Sequence, residues 1–222
     1  MEENTNSQIQ IIRDLKDLNR EGCRFFIEAN PKSKTIISSA ILRWLTHRDE
    51  DEKEKYFTPE QEEAVNKINN AVKHPSVNNL NIEILLYENP MKAKGDVSHI
   101  KTLLQCGDSV KVRYLRRHKD QQLRIAQCGH KMYLSMSNSQ RLKVDRGIVY
   151  TADSENDPLI DYFHDTFEND FNRAKPLTYK NGKIRYADNF IRRAWTWIMS
   201  PTGIGILLGV AGLIVGLIGF LK

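Results

Sequence analysis

The distribution of apolar residues divides the chain into two unlike parts. Residues 203–221 carry only apolar side chains or glycine and are followed by Lys222, whereas the preceding chain is polar and densely charged. A helix of this length spans about 28 Å, close to the roughly 30 Å hydrocarbon core of a bilayer. The pattern therefore predicts one transmembrane helix within residues 200–222.

The residues before this apolar run predict how the helix sits in the membrane. Trp195 and Trp197 stand where amphipathic aromatic rings favour the headgroup region, and Arg192 and Arg193 stand about one turn earlier. The positive-inside rule places the N-terminal part in the cytoplasm. The first residues show neither the positive start nor the apolar stretch of a signal peptide. We expect a single-pass, tail-anchored protein with the lipid bilayer as a partner.

Glycine recurs in the predicted membrane helix at intervals of four and three residues. Such a stripe exposes backbone along one helix face and lets two helices approach closely in lipid. We therefore expect a homo-oligomer formed through this helix. The stripe consists of Gly205, Gly209, Gly212, Gly216 and Gly219.

Helical and alternating patterns succeed each other through the first 176 residues. Helical patterns cover residues 8–21, 35–45, 58–74, 96–107 and 157–174, and strand patterns cover residues 24–28, 80–87, 109–115, 123–126, 131–136 and 147–150. This alternation predicts an α/β domain with a mixed sheet flanked by helices. We divide the chain into an N-terminal extension (1–57), the α/β domain (58–176), a basic juxtamembrane linker (177–199) and the membrane helix (200–222).

Charge and cysteine content narrow the possible chemistry. The net charge is +5, and several of the basic residues lie between Arg173 and the apolar run, which favours contact with a membrane surface. The three cysteines, Cys23, Cys106 and Cys128, have neither metal-ligand spacing nor the pattern of a disulfide framework. We expect reduced thiols, no metal ion and no cofactor.

Four segments resemble one lobe of the phospholipase D-like (HKD) superfamily. That family has a Val-x-Val strand, a strand with a His motif, a further strand and a closing helix of the form F-x-x-x-F-x-x-x-W/F-x-x-A. The matching segments are Val110 to Leu115, Gly129-His130-Lys131, Arg146 to Tyr150 and Phe163 to Ala174. The resemblance covers about half of the chain and implies the fold of a phospholipase D-like lobe.

The catalytic motif of that family is His-x-Lys-x-x-x-x-Asp, in which the His attacks phosphorus and the Lys steadies phosphate charge. With His130 in the first position, Met132 replaces the Lys and Ser137 replaces the Asp. The adjacent Lys131 points to the opposite face of a strand. The resemblance therefore implies a vestigial site at His130, and we expect no phosphodiester hydrolysis that depends on it.

A set of cations near the ends of the predicted strands suggests a different function. These side chains could line a surface for an anionic ligand, such as a nucleotide; they are Arg113, Arg116, Arg117, Arg124 and Lys131. The leading hypothesis is a tail-anchored protein whose cytoplasmic domain binds a ligand or a protein partner, a layout also found in abortive-infection effectors of bacterial defence. The alternatives are a membrane-tethered phosphodiesterase or nuclease and a membrane adaptor.

Overall fold

The computed structural model describes residues 7–13, 15–39, 42, 45, 58–74, 80–93, 96–116, 123–136, 146–154 and 156–187. The described chain up to Tyr186 belongs to one compact unit. Within these ranges no helix has the length and apolar character needed to cross a membrane. The predicted membrane helix, its glycine stripe and its flanking tryptophan and arginine residues all lie outside the described residues.

Four helices and nine strands make up the described part of the chain. In sequence order they are β1 Gln8–Ile12, α1 Leu15–Glu28, β2 Thr35–Ser39, α2 Pro59–Lys73, β3 Ile82–Leu86, α3 Ser98–Gln105, β4 Val110–Tyr114, β5 Leu123–Cys128, β6 Lys131–Met136, β7 Arg146–Thr151, α4 Pro158–Arg173, β8 Lys175–Lys180 and β9 Lys183–Tyr186.

The strands form one mixed sheet in the order β1-β7-β6-β5-β2-β3-β4-β8-β9. The three central strands β2, β3 and β4 are parallel, because each is joined to the next through a helix. All the other pairings are antiparallel. The mixed sheet flanked by helices confirms the fold class predicted from the sequence.

Helices cover both faces of this sheet. Helices α1 to α3 pack on one face over the side chains of Ile82, Ile84 and Leu86, and α4 packs on the other face over Leu85. Strand β3 is therefore buried on both faces. The face covered by α4 carries the aromatic pair Phe167 and Phe171 at its centre.

The two long helices with clear start signals begin where the sequence predicted. Thr58 and Gln61 form a reciprocal capping box ahead of α2. Asp157 accepts hydrogen bonds from the backbone N–H groups of Leu159 and Ile160 ahead of α4, and from the Tyr150 hydroxyl. The hydrogen bond from Tyr150, with the two backbone bonds, holds the pKa of Asp157 below its usual value.

In the N-terminal part, the sequence predicted helices and strands in the wrong places. Residues 8–21 were expected to form one helix, but 8–12 form the edge strand β1 and the helix α1 begins at Leu15. The predicted strand 24–28 lies inside α1, and the predicted helix 35–45 begins with the fully buried strand β2. In β2, pairing on both sides with β3 and β5 overrides a weak helical pattern.

The predicted linker was also wrong over its first residues. Lys175–Lys180 and Lys183–Tyr186 form the hairpin β8–β9 around Asn181 and Gly182, both of which have positive φ. Asn-Gly at the centre of a two-residue turn is a strong hairpin signal. The sheet thus extends to Tyr186, ten residues beyond the expected domain boundary at residue 176. The segment 1–57 likewise contributes β1 and β2 to this sheet.

Candidate functional site

His130 lies in the exposed turn between β5 and β6. Its carbonyl accepts a hydrogen bond from Ala152 N at 2.9 Å, and Gly129 before it has φ +54°. Cys128, the last residue of β5, pairs with Thr35, the first residue of β2. His130 therefore stands at the edge of the sheet where the parallel strands begin.

The two residues after His130 point to opposite faces of the sheet. The side chain of Met132 is 0% exposed and packs with Tyr150 and Ile160 beneath α4. Lys131 faces α1 and forms an ion pair with Glu28 at 3.2 Å. An apolar, fully packed side chain thus occupies the position that the resemblance assigns to the phosphate-binding lysine, and Ser137 lies outside the described residues.

The structure describes four of the five predicted ligand-binding cations and does not bring these four together. Arg113 donates to Phe171 O at 2.9 Å, with its guanidinium 4.3 Å from the ring centroid of the same residue. Arg124 lies on the α1 face beside a cavity of about 20 Å³. Lys131 lies near the ends of the sheet at which the parallel strands begin. Arg117 lies outside the described residues. Arg116 stands exposed just beyond the end of β4.

Arg116 lines a cavity of about 560 Å³ that we call the basic pocket. It opens where the parallel strands β3 and β4 end, the edge at which open α/β sheets commonly bind ligands. The opposite edge carries His130. The pocket is lined by Asn89, Lys92, Tyr114, Leu115, Arg116, Arg173, Lys175 and Tyr186.

Backbone contacts fix the segments that carry these side chains. In the turn after β3, Asn89 Oδ1 accepts from Met91 N at 3.0 Å, and the Asn89 carbonyl accepts from Lys92 N at 3.0 Å. Leu115 N donates to Leu86 O at 2.9 Å and ties the end of β4 to β3. On the other side, Arg173 ends α4 and Lys175 begins β8, where Lys175 pairs with Tyr114.

The four cations of the basic pocket make no ion pair with any other described residue, and none of the described residues that line the pocket is acidic. Elsewhere the same domain neutralises lysines at the sheet: Lys111 pairs with Glu83 at 3.0 Å, and Lys34 pairs with Glu83 and Glu168. The pocket therefore concentrates positive charge in a concave site, which favours an anion.

A pair of tyrosines forms one wall of the pocket. The rings of Tyr114 and Tyr186 stack with centroids 6.4 Å apart and an interplanar angle of 27°. Asn89 Nδ2 donates to the Tyr186 hydroxyl at 3.2 Å, and Lys175 Nζ lies 5.2 Å from the Tyr186 ring centroid. Burial and the neighbouring Tyr186 raise the pKa of Tyr114, although Arg116 opposes the shift. The Tyr114 hydroxyl therefore stays protonated and can donate to an anion.

This arrangement is suited to binding. Arginine and lysine side chains form short, charge-assisted hydrogen bonds with phosphate oxygens. The described lining residues include no cysteine, serine, histidine or carboxylate.

Sequence reasoning predicted Arg116 as a ligand-binding residue and missed the other seven of the eight lining residues. Arg173 and Lys175 belonged to the basic excess that was assigned to the membrane surface, and Tyr186 belonged to the predicted linker. The Asn181-Gly182 turn signal could have placed Lys175 and Tyr186 on a hairpin. No sequence signal brings the turn carrying Asn89 and Lys92 to that hairpin, because their contact depends on the strand order.

Comparison with known proteins yields structural likenesses alone. No protein-family model matches the chain, and no curated protein matches it. The similar solved structures include TrmBL2, an archaeal chromatin protein whose structure shows a novel mode of DNA binding (12% identity, TM-score 0.47, covering 78% of this chain and 55% of that one). They also include the phospholipase D family member Nuc from Salmonella typhimurium (9% identity, TM-score 0.49, covering 78% of this chain and 100% of that one).

A third similar structure is phosphatidylserine synthase from Haemophilus influenzae (10% identity, TM-score 0.48, covering 86% of this chain and 45% of that one). This chain thus spans about half the length of TrmBL2 and of the synthase. All three TM-scores lie below 0.5, so these likenesses carry no argument about activity.

Proposed function

We propose that this protein is a membrane-anchored receptor whose α/β domain binds a phosphate-bearing anion in the basic pocket without catalysing a reaction on it. The observation that carries the proposal is the grouping of Lys92, Arg116, Arg173 and Lys175 around one cavity, with no ion pair to any described residue. Four cations around one cavity, with no carboxylate among its described lining residues, cost electrostatic repulsion, which a bound polyanion relieves.

The membrane part of the proposal comes from the sequence. Residues 203–221 match the thickness of a bilayer core, and the tryptophans and arginines before them favour a cytoplasmic domain. The glycine stripe from Gly205 to Gly219 favours self-association of the helix. Under this proposal, the protein presents several ligand-binding domains on the cytoplasmic side of one membrane.

We further propose that the domain is a phospholipase D-like lobe that has lost its catalytic motif. The order of strands and the closing aromatic helix support this origin, and under this proposal the buried Met132 stands where the family has its phosphate-binding lysine. The exposed His130 stands at the far edge of the sheet from the basic pocket. Nothing in the geometry of the described residues favours the phosphodiesterase or the adaptor.

Charge reversal in the pocket tests the receptor proposal. In full-length protein purified in detergent, we expect inorganic pyrophosphate to bind, and we expect Arg116→Glu and Arg173→Glu each to weaken binding about tenfold or more. A charge-assisted hydrogen bond contributes about 1.5–3 kcal/mol, which is enough for that loss. Isothermal titration calorimetry at fixed, low salt measures the affinities, since screening weakens exposed charges.

Lys32→Glu is the matched control for these variants. Lys32 is exposed at the opposite edge of the sheet, just before β2, and its substitution changes the net charge equally. Its affinity for pyrophosphate should equal that of the parent. Absence of pyrophosphate binding, or an equal loss in Lys32→Glu, would show that the pocket is not the anion site.

A further inference from the structure

We propose that the anion bound in the basic pocket is a nucleotide with at least two phosphate groups, and that its base stacks on Tyr186. The inference rests on the proposed function for the phosphate contacts and adds the recognition of a base. It is carried by the tyrosine wall, which a site for inorganic phosphate would not need.

Tyr186 is held in place as a stacking platform. It ends β9 and is 38% exposed, and its hydroxyl accepts the hydrogen bond from Asn89 Nδ2 in the turn after β3. A ring that is fixed at its far end loses less conformational freedom when a ligand packs on it. Aromatic side chains of this kind bind the faces of nucleobases with little dependence on sequence.

The contacts of Tyr186 can give way to a base. The 6.4 Å between the Tyr114 and Tyr186 centroids is at the wide end of the 4.5–7 Å range for ring pairs, so these rings are in loose contact. Lys175 Nζ lies over one face of the Tyr186 ring, 5.2 Å from its centroid, and the lysine side chain is exposed. When a phosphate draws the Lys175 ammonium toward itself, that face becomes available to a planar ring.

The size and charge of the pocket agree with a nucleotide. Its volume of about 560 Å³ falls within the roughly 300–1,000 Å³ range of small-molecule sites, whereas a phosphate ion alone would fill a small part of it. Four cations suit a ligand with several negative charges, such as a nucleoside diphosphate. The headgroup of an anionic lipid also carries phosphate but has no base that could stack on Tyr186.

Three probes separate these ligands: ADP, inorganic pyrophosphate and a water-soluble short-chain phosphatidic acid. Each is titrated into the full-length protein in detergent. We expect ADP to bind at least about fivefold more tightly than pyrophosphate, because stacking on one aromatic ring supplies that factor. Phosphatidic acid should bind no more tightly than pyrophosphate.

Variants of Tyr186 test whether its ring causes the tighter binding of ADP relative to pyrophosphate. Tyr186→Leu should remove the advantage of ADP over pyrophosphate, whereas Tyr186→Phe should keep most of the advantage. Tyr162→Leu is the control, since Tyr162 is 64% exposed on α4 and does not line the pocket. Thermal unfolding of each variant verifies that it is folded.

The outcomes distinguish the two proposals. Equal affinities for ADP and pyrophosphate in the parent protein, or an ADP advantage that survives Tyr186→Leu, would overturn the nucleotide and leave the anion receptor standing. Tighter binding of phosphatidic acid than of ADP would replace the nucleotide with a lipid headgroup. If none of the three probes binds, both proposals fail.

Discussion

At the scale of single residues, the partners of a charged side chain indicate whether it stabilises the fold or is placed to bind a ligand. Glu83 is buried beneath α4, between Lys34 and Lys111. Burial alone would lower the pKa of Lys34, but the hydrogen bond and charge of Glu168, together with Glu83, outweigh it and raise that pKa. Such lysines are committed to carboxylates within the domain. The cations of the basic pocket have no such carboxylate partners among the described residues.

Individual residues also show the limit of reasoning from the sequence. The spacing His130-x-Met132 was enough to predict that the phosphodiesterase motif is incomplete, because the chemistry needs a lysine at the third position. Spacing could not show which cations share a surface. Arg113 and Arg116 are three residues apart, yet Arg113 binds the carbonyl at Phe171 and Arg116 lines the pocket.

Removing the imidazole of His130 should leave the protein unchanged in two measurements. His130→Ala replaces an exposed turn side chain, so we expect a change in the free energy of unfolding within about 0.5 kcal/mol. We also expect no change in any metal-independent hydrolysis of a phosphodiester by the purified protein, since no lysine stands at position 132. A hydrolysis that disappears in folded His130→Ala would contradict this and revive the phosphodiesterase.

At the scale of elements, start signals were more informative than apolar periodicity. The Thr58 capping box and the Asp157-Pro158 start placed α2 and α4 correctly. The short apolar runs around β1, α1 and β2 were ambiguous, since a run of about five residues fits either a strand or one helical turn. Their identity is decided by sheet pairing, which a local pattern does not contain.

The packing of α1 on the sheet gives an element-scale prediction. A methyl group at Gly147 would lie against Leu18 Cδ2 of α1, with Tyr133 Cε2 at 3.1 Å and Leu134 O at 3.2 Å. We expect Gly147→Ala to lower the free energy of unfolding by about 1–3 kcal/mol, because overpacking moves α1 away from β6 and β7. Chemical denaturation followed by near-UV circular dichroism measures the change.

The variant Leu18→Val provides the second half of this test. Valine lacks the Cδ2 atom that would clash, so the double variant should be less destabilised than the sum of the two single variants. Additive effects in the double variant would show that α1 does not pack over Gly147 as described.

At the scale of the whole molecule, the basic pocket is a product of strand order. Its side chains come from the turn after β3, the end of β4, the end of α4 and the hairpin β8–β9, which meet because β8 pairs with β4. The alternation of helical and strand patterns predicted a mixed sheet. It could not predict which strand pairs with β4, so the basic pocket could not be predicted from the sequence.

Membrane attachment is the whole-molecule prediction. Deleting residues 200–222 removes the apolar run and should release a soluble, folded domain, because the described sheet and helices all lie between Gln8 and Tyr186. Fractionation of cells after a high-salt wash measures the distribution between membrane and supernatant. A truncated protein that still pellets with membranes would contradict a single C-terminal anchor.

The double variant Gly209→Ile with Gly212→Ile is the matched control. It retains the apolar length, so it should remain in the membrane, but it enlarges the stripe and should reduce crosslinked oligomers. Crosslinking equal to that of the parent would assign any oligomer to the α/β domain.

Under the proposed C-terminal anchor, strand β9 would bear any tension applied through the membrane. It is the outermost strand of the sheet, and its last residue, Tyr186, pairs with Leu177 and accepts the hydrogen bond from Asn89. Tension on the chain beyond Ala187 would therefore reach the domain at Tyr186 and peel β9 from β8 one pair at a time, toward Asn181. A ligand gripped between Tyr186 and the end of β4 would reinforce the first pair to open. The force needed to detach β9 would then be higher when the pocket holds a ligand.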